Sequence, residues 1–337
     1  MKQRLLVTGG AGFIGHHFVS HLLERTDHHI VVLDSLNYAA DVNQLAAIPH
    51  YDRSRITLLW HDLRAPIAEA LALAIGPVDA IFNIASESHV DRSIAAPVPF
   101  VQNNVSLVLH MLEFARQAKP RLFVQISTDE VYGPSAEGTS HREWDTPLPS
   151  NPYAASKAAQ EAIAISYWRT YGVPVVITNT MNNFGEYQHR EKFIPLCVER
   201  ILKGEAIQVH GQYDAGGRFV SGSRVWLHAQ HHADALLAIL ERGTPNMFPR
   251  HDRPSRYHIA GEREVSNLEI ARSIGVMLHR SVNLQPTDFH RSRPGHDLRY
   301  SLDGSRIQQE LAWTPPETFE TSFARTVEWL AYGPSIR

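Results

Sequence analysis

The chain holds a single cysteine, Cys197, in 337 residues, so neither an intramolecular disulfide nor a cysteine-based zinc site can form. Within "FIPLCVERIL" that cysteine falls on an expected helix, as a small buried hydrophobe rather than a nucleophile. No stretch approaches 18 consecutive apolar residues, which excludes a membrane-spanning helix. The opening "MKQRLLVTGG" enters a strand at once with no signal-peptide core, so a cytoplasmic protein is expected. Neither charge sign dominates: 32 Lys and Arg face 35 Asp and Glu, a net charge of −3. No global basic field therefore draws the chain to nucleic acid or membrane, and an anionic ligand must be held by local groups. What is abundant is apolar: 43% hydrophobic residues can build one large or two modest cores.

The first half alternates short apolar runs with helical spacing. "RLLVTG", "HIVVLD", "ITLLWHD", "VDAIFNIA", "RLFVQIST" and "VPVVITN" are near-continuous in Val, Ile and Leu. Such runs suit strands covered on both faces, hence a parallel sheet between helices. Stretches such as "NNVSLVLHMLEFARQA" supply the helices, and together they read as a doubly wound α/β fold. Residues 1–179 are expected to form this domain. Residues 180–337, with shorter and more mixed elements, are expected to form a smaller substrate-binding domain, with about 225–242 returning to the first. "DAGGRFVSGS", Asp214 to Ser223, reads as a flexible loop.

"LLVTGGAGFIGHHF" sets Gly9, Gly12 and Gly15 between the first strand and a helix that begins near Phe13 and Ile14. The first glycine allows a tight turn, the second a close backbone approach to a pyrophosphate, the third helix-on-strand packing. The helix N-terminus favours the anion. Asp34 ends the next strand about 20 residues on, as a ribose-binding acid should. A carboxylate there accepts from a 2′-hydroxyl and repels a 2′-phosphate, so a Rossmann-type domain binding NAD rather than NADP is expected. Asp62 and Leu63 end the third strand, where an adenine edge would lie.

"SNPYAASKAAQEAIAISYWRTYG" reads as a helix capped by Asn151, with Pro152 at its first position and Gly172 past its end. Tyr153 and Lys157 are four apart and share a face. An ammonium and a nicotinamide cation both lower a neighbouring phenol's pKa, so this pair suits proton removal from a hydroxyl during hydride transfer. "ISTDEVYG" adds a strand-end hydroxyl, Thr128, followed by two carboxyls, Asp129 and Glu130.

These segments, with "ASESHVDRSI", "NNFGEY", "EKFIPL" and "RPGHDLRY", resemble the extended short-chain dehydrogenase/reductase family, and within it the nucleotide-sugar 4,6-dehydratases. The resemblance runs from Leu5 to about Trp329. It implies C4 oxidation of a nucleotide hexose, loss of water across C5 and C6, and hydride return to C6. By this resemblance Thr128 and Tyr153 meet the C4 oxygen, Glu130 is the base at C5, and Asp129 is the acid at O6. Two carboxyls divide that work when their environments push their pKa values apart. Ala85 is implied beside the cofactor. Ser86, Glu87, His89, Asn182, Asn183, Glu191, Lys192, Phe193, Arg224, Asn267 and His296 are implied around the substrate. For His89 and Asp91, local capping is as good a reading as ligand contact.

"RPGHDLRY" tilts the substrate toward dTDP-glucose; UDP-glucose is the alternative, and 4-epimerisation or a silent dinucleotide-binding regulator the remoter ones. The departures bear on substrate rather than chemistry: the "AGGRFVSGS" stretch precedes Arg224, so Arg218 competes for the phosphate, and Asn103 replaces a usual Thr. The paired histidines His16/His17, His28/His29 and His231/His232 read as solvated or capping residues, since adjacent helical positions diverge by about 100°, and no metal site is expected. A homodimer through helices near 104–119 and 154–171 is implied by the resemblance.

Overall fold

The computed structural model describes residues 2–288, 295 and 297–333. All six expected strands form: β1 (Arg4–Thr8), β2 (His29–Asp34), β3 (Ile56–Trp60), β4 (Ala80–Asn83), β5 (Leu122–Thr128) and β6 (Val175–Thr180). Their order in the sheet is β3-β2-β1-β4-β5-β6, every pairing is parallel, and Val7 lies beside both Val32 and Phe82. A seventh strand, Ser255–Ile259, joins the edge beyond β6 from far along the chain. This is a Rossmann-like doubly wound sheet.

Helices cover both faces, which is why the strands are apolar throughout. Along β5, Leu122, Val124 and Ile126 enter one core while Phe123 enters the other. The first core receives Phe18, Val19 and Leu22 of α1 (Phe13–Arg25). Of the shorter helices, α2 (Val42–Ala46) adds Leu45 to the first core, α3 (Glu69–Ile75) adds Ile75 to the second, and α4 (Val90–Ala95) packs on α5 and α6. The second core receives Leu107, Met111 and Leu112 of α5 (Pro97–Ala118) and Ala164 and Trp168 of α6 (Pro152–Tyr171). Full burial of side chains of this size stabilises by about 1.5–3 kcal/mol each.

The chain beyond β6 builds small sheets around α7 (Phe193–Lys203), α8 (Ala229–Arg242) and α9 (Asn267–Met277). Strands β7 (Asn183–Phe184), β8 (Ile207–Tyr213), β9 (Phe219–Ser221), β10 (Ser223–Val225) and β11 (Leu227–His228) precede the returning strand, which is β12. β13 (Glu264–Ser266) and β14 (Leu284–Asp288) follow it. Helix α8 packs on α1. A third core, with Phe184, Ile201 and Phe323, also takes in Cys197, whose thiol burial pushes up to about 12, as expected of an inert hydrophobe.

One expectation is corrected here. Only 214–218 form a loop: β8 and β9 pair antiparallel around it, with Tyr213 opposite Phe219, and β10 begins at Ser223. The turn closes because Asp214 Oδ1 accepts from the backbone N–H of Gly216 and Arg218, while Gly217 takes φ +76°.

Candidate functional site

A cleft of about 1920 Å³ opens at the C-terminal ends of β1, β2, β4 and β5, where the strand order reverses. Its volume exceeds the 300–1,000 Å³ of an ordinary small-molecule pocket, so it has room for a dinucleotide and a second ligand together. Gly9 turns at φ +68°, and a Cβ there would meet Ala85 Cα at 2.9 Å. A Cβ on Gly15 would fall 2.0 Å from the Gly9 carbonyl oxygen, whereas one on Gly12 would meet only that oxygen, at 3.3 Å. Helix α1 begins at Phe13 and Ile14 with no side-chain cap and no acidic residue in its first turn, which leaves its N–H groups open to an anion. Asp34 Oδ2 accepts from Ala11 N at 2.9 Å and Oδ1 from Leu36 N at 2.8 Å, so the carboxylate shapes the loop while lining the cleft. Asp62 and Leu63 line it too; Asp62 is ion-paired with Arg64, and the Leu63 carbonyl accepts from His110 Nδ1 at 2.7 Å. The residues fit a dinucleotide.

β5 ends on Thr128, and the chain turns directly into a 3₁₀ helix, Asp129–Tyr132. The Thr128 hydroxyl donates to Asp129 Oδ1 at 2.9 Å, while Asp129 Oδ2 is buried with no partner. Burial, then the neighbouring Glu130 carboxylate, lifts the Asp129 pKa to about 7. Glu130 is also raised by burial, opposed by a hydrogen bond from Asn151 Nδ2 at 3.2 Å and by Arg224. Asn151 thus does two things: its Oδ1 caps α6 by accepting from Ala154 N, as expected, and its amide steadies Glu130.

Tyr153 and Lys157 sit on the first turns of α6, facing this turn across the cleft. The phenol differs from expectation. Its pKa is raised by burial and by Glu130, against a hydrogen bond with Thr128, because the lysine is committed elsewhere. Lys157 Nζ donates to the Ile126 carbonyl at 2.8 Å and to Gln160 Oε1 at 2.6 Å, and burial brings its own pKa down to about 7.

Most of the expected substrate residues converge on the same cleft. Ser86, Glu87 and His89 follow β4 and line it. Glu87 Oε1 accepts from Asn103 Nδ2 at 2.9 Å, and burial raises its pKa. His89 caps α4 through Nδ1, the local reading, while Nε2 lies 3.5 Å from Glu191 Oε2. Asn182, Glu191, Lys192, Phe193 and Asn267 also line the cleft. Asn183 lines it but is saturated by protein, donating to Thr180 Oγ1 and the Met181 carbonyl and pairing with His232 Nδ1, so it braces the wall.

The competition between the two arginines is decided by the hairpin. Arg218 sits in its exposed turn, paired with Asp214, and does not line the cleft. Arg224 does; it is buried, stacks 4.5 Å over the Tyr300 ring and donates to the carbonyls of Leu298 and Asp297. His296 lies outside the described residues. The helical histidines are another correction: His16, His17, His231 and His232 are buried rather than solvated, and desolvation holds them well below the usual histidine range.

Sequence reading missed several groups that organise the site. Asn104 Nδ2 donates to Ser156 Oγ at 2.9 Å and Gln160 Nε2 to the Asn104 carbonyl at 2.7 Å, tying α5 to α6 beside Lys157. Tyr38 and Arg92 close the cleft mouth, the guanidinium 3.7 Å over the ring. Nothing local marks these residues; only the distance in sequence between their elements hid them.

A glycine-cradled cleft, a Tyr-x-x-x-Lys pair and two unequal carboxyls define an extended short-chain dehydrogenase/reductase. A model of the GDP-mannose 4,6 dehydratase family matches residues 6–326. A dTDP-glucose 4,6-dehydratase of Escherichia coli is 35% identical, over 97% of this chain and 93% of its own. One from Haemophilus influenzae is 36% identical over 99% of both chains. The dTDP-glucose 4,6-dehydratase DesIV of Streptomyces venezuelae, solved with NAD bound, superimposes with a TM-score of 0.85 at 40% identity, covering 97% of this chain and 96% of that one. The NAD-bound UDP-glucose 4-epimerase of Thermus thermophilus gives 0.83 at 25% identity, over 98% of this chain and 100% of that one. The chain belongs to the GDP-mannose 4,6 dehydratase family, and is an NAD-dependent nucleotide-sugar 4,6-dehydratase of the short-chain dehydrogenase/reductase type. No helix among the described residues is long and apolar enough to cross a membrane.

Proposed function

We propose that the chain converts dTDP-glucose to dTDP-4-keto-6-deoxyglucose. The observation that carries this reading is the pair of adjacent carboxyls beside Thr128, Glu130 half-buried and Asp129 buried with its pKa lifted to about 7. A 4-epimerase has no use for that pair, since it moves no proton at C5 or C6. The substrate base rests on the dTDP-glucose dehydratases among the relatives, which share about 35% identity over nearly the full chain.

The chemistry supplied by bound NAD is reversible hydride transfer, out of C4 and finally into C6. Gly9, Gly12, Gly15 and the start of α1 would hold its pyrophosphate, Asp34 its ribose, and Asp62 and Leu63 its adenine edge. Tyr153, hydrogen-bonded with Thr128, would take the proton of the C4 hydroxyl once the positive charges of Lys157 and of the bound nicotinamide offset the burial that raises its pKa. The resulting ketone makes the C5 proton acidic. Glu130, held by Asn151, removes it. Asp129, kept protonated by burial, gives its proton to the departing C6 hydroxyl. Glu130 then returns its proton to C5 as C6 is reduced, and Asp129 is recharged, through solvent, with the proton that Tyr153 took. Arg224, Lys192 and Asn267 serve the nucleotide diphosphate, and residues 1–179 with the returning segments serve the cofactor.

A homodimer through α5 and α6 belongs to the same reading. Leu107 and Met111 are core, so the contact face must be the other one, bearing exposed Ala162 and Ser166. Light scattering of the purified protein tests it; a monomer at micromolar concentration would end that part of the reading. For the reaction, purified protein is incubated with dTDP-glucose and with UDP-glucose, and mass spectrometry follows loss of one water. Loss from dTDP-glucose alone is expected. Equal turnover of both would remove the base assignment, and unchanged mass in both would remove the reading.

A further inference from the structure

Beneath the site, β12 brings in a second set of buried charges, none of which lines the cleft. Arg256 Nη2 lies 2.8 Å from Glu161 Oε2, and both side chains are 3% exposed. Glu161 stands one helical turn beyond Lys157 on α6, so the two share a face. Its other oxygen, Oε1, accepts from Asn179 Nδ2 at 2.7 Å, and the same Nδ2 donates to the Thr128 carbonyl at 3.0 Å. Arg256 Nη1 donates to the Tyr132 hydroxyl at 2.9 Å, and Tyr132 is the last residue of the turn that carries Asp129 and Glu130. The end of β5, the acidic turn and α6 therefore all close on one carboxylate.

We infer that Glu161, balanced by Arg256, is a positioning residue that holds Lys157 in its ammonium form and seats Thr128. The inference rests on the roles given above to Tyr153 and Lys157. Burial disfavours an ammonium strongly, and the hydrogen bonds Lys157 makes are to neutral acceptors, the Ile126 carbonyl and Gln160. The group whose charge opposes that penalty is Glu161. The other titratable group facing the cleft from its own helix is Tyr153, which itself faces Asp129 and Glu130 in the turn. Around Glu161 stand Arg256 and His258 from β12, Tyr132 from the turn, and Glu143, whose Oε1 accepts from the His258 amide. His258 is held neutral by burial, so Arg256 is the cation that stabilises the buried carboxylate. Trp144 covers that guanidinium at 4.4 Å. An unpaired carboxylate could not persist there; the arginine permits it, and the carboxylate's charge acts on the lysine through space.

The chain has five lysines, so their ε-carbon resonances can be titrated individually by NMR, with Lys157→Met assigning the signal. In Glu161→Gln the Lys157 midpoint is expected to fall by about one pH unit or more, and the alkaline limb of kcat to move down with it. That variant leaves Arg256 uncompensated and melts earlier. The double variant Glu161→Gln/Arg256→Met removes both charges and is expected to recover melting temperature and at least half of the Lys157 shift. A Lys157 midpoint that is unmoved in folded Glu161→Gln overturns the inference, as does a double variant no different from the single. Absence of native turnover would sink the proposed reaction instead, because the lysine titration is read without substrate.

Discussion

Thr128 Oγ1 donates to one oxygen of Asp129 at 2.9 Å and leaves the other oxygen buried without a partner. A carboxyl so placed keeps its proton and points it at nothing in the protein. In Asp129→Asn the oxygen that accepts from Thr128 is retained but no transferable proton remains. Turnover should fall by about 10²–10⁴-fold, the usual worth of a general acid. Oxidation should survive, so the near-ultraviolet absorbance of reduced nicotinamide should build up on mixing with substrate. No build-up would place Asp129 in the oxidation step.

Glu130 is oriented by the Asn151 amide at 3.2 Å. Glu130→Gln should abolish exchange of the C5 proton with deuterated solvent, and Asn151→Ala should slow it less severely. Asn151→Ala also removes the cap of α6, which costs about 0.5–2 kcal/mol of stability. Undiminished exchange in Glu130→Gln would move the base elsewhere.

The pH dependence follows from two groups. Asp129 must be protonated and Lys157 charged, and each has its pKa near 7. Both requirements are lost on the alkaline side, so kcat should fall as pH rises through about 7 more steeply than a single ionisation allows. Stability has its own sign. Asp129 is raised above its unfolded value, so its contribution is complete below pH about 4 and is lost as pH rises through about 7. For one proton the slope is at most about 1.4 kcal/mol per pH unit. Melting curves of native and Asp129→Asn protein between pH 4 and 8 should therefore converge or cross as pH rises; parallel curves would contradict the burial penalty.

Two glycines of the cofactor loop should fail in different ways. A Cβ on Gly15 would overlap the Gly9 carbonyl at 2.0 Å, so Gly15→Ala should lower the melting temperature. Gly12→Ala meets that oxygen at 3.3 Å, a contact a slight shift relieves, and its methyl then occupies the pyrophosphate approach. It should keep its fold and lose at least tenfold in NAD affinity by calorimetry. Equal loss of fold in both would refute the distinction.

Arg224 and Arg218 make a similar pair. Arg224 lines the cleft, whereas Arg218 is paired with Asp214 in the hairpin turn. Arg224→Met should raise KM for the nucleotide sugar by about tenfold or more, as loss of a charged hydrogen-bonding partner implies, while Arg218→Met should leave KM within twofold. The reverse result would return the phosphate to the hairpin.

Six strands of the sheet were legible because burial on both faces forces an unbroken apolar run, which local composition displays. The glycine loop, the cap at Asn151 and the Tyr153–Lys157 spacing were legible for a related reason: each is a relation among residues a few positions apart. β12 was not, since "SRYHI" carries an arginine and a histidine where a buried strand should be apolar. Those polar residues are tolerated because Glu161 and Tyr132, both distant in sequence, meet them.

The residue types and their order thus determined the fold class, the dinucleotide cradle and the presence of a divided acid–base pair. Tertiary structure alone decided that burial raises the pKa of both carboxyls, which arginine faces the cleft and that Arg256 meets Glu161. The reason is physical. Backbone conformation and period are set by neighbours in the chain, whereas desolvation and Coulomb interaction depend on what packs around a group, and those atoms come from elements as far apart as Tyr132 and His258.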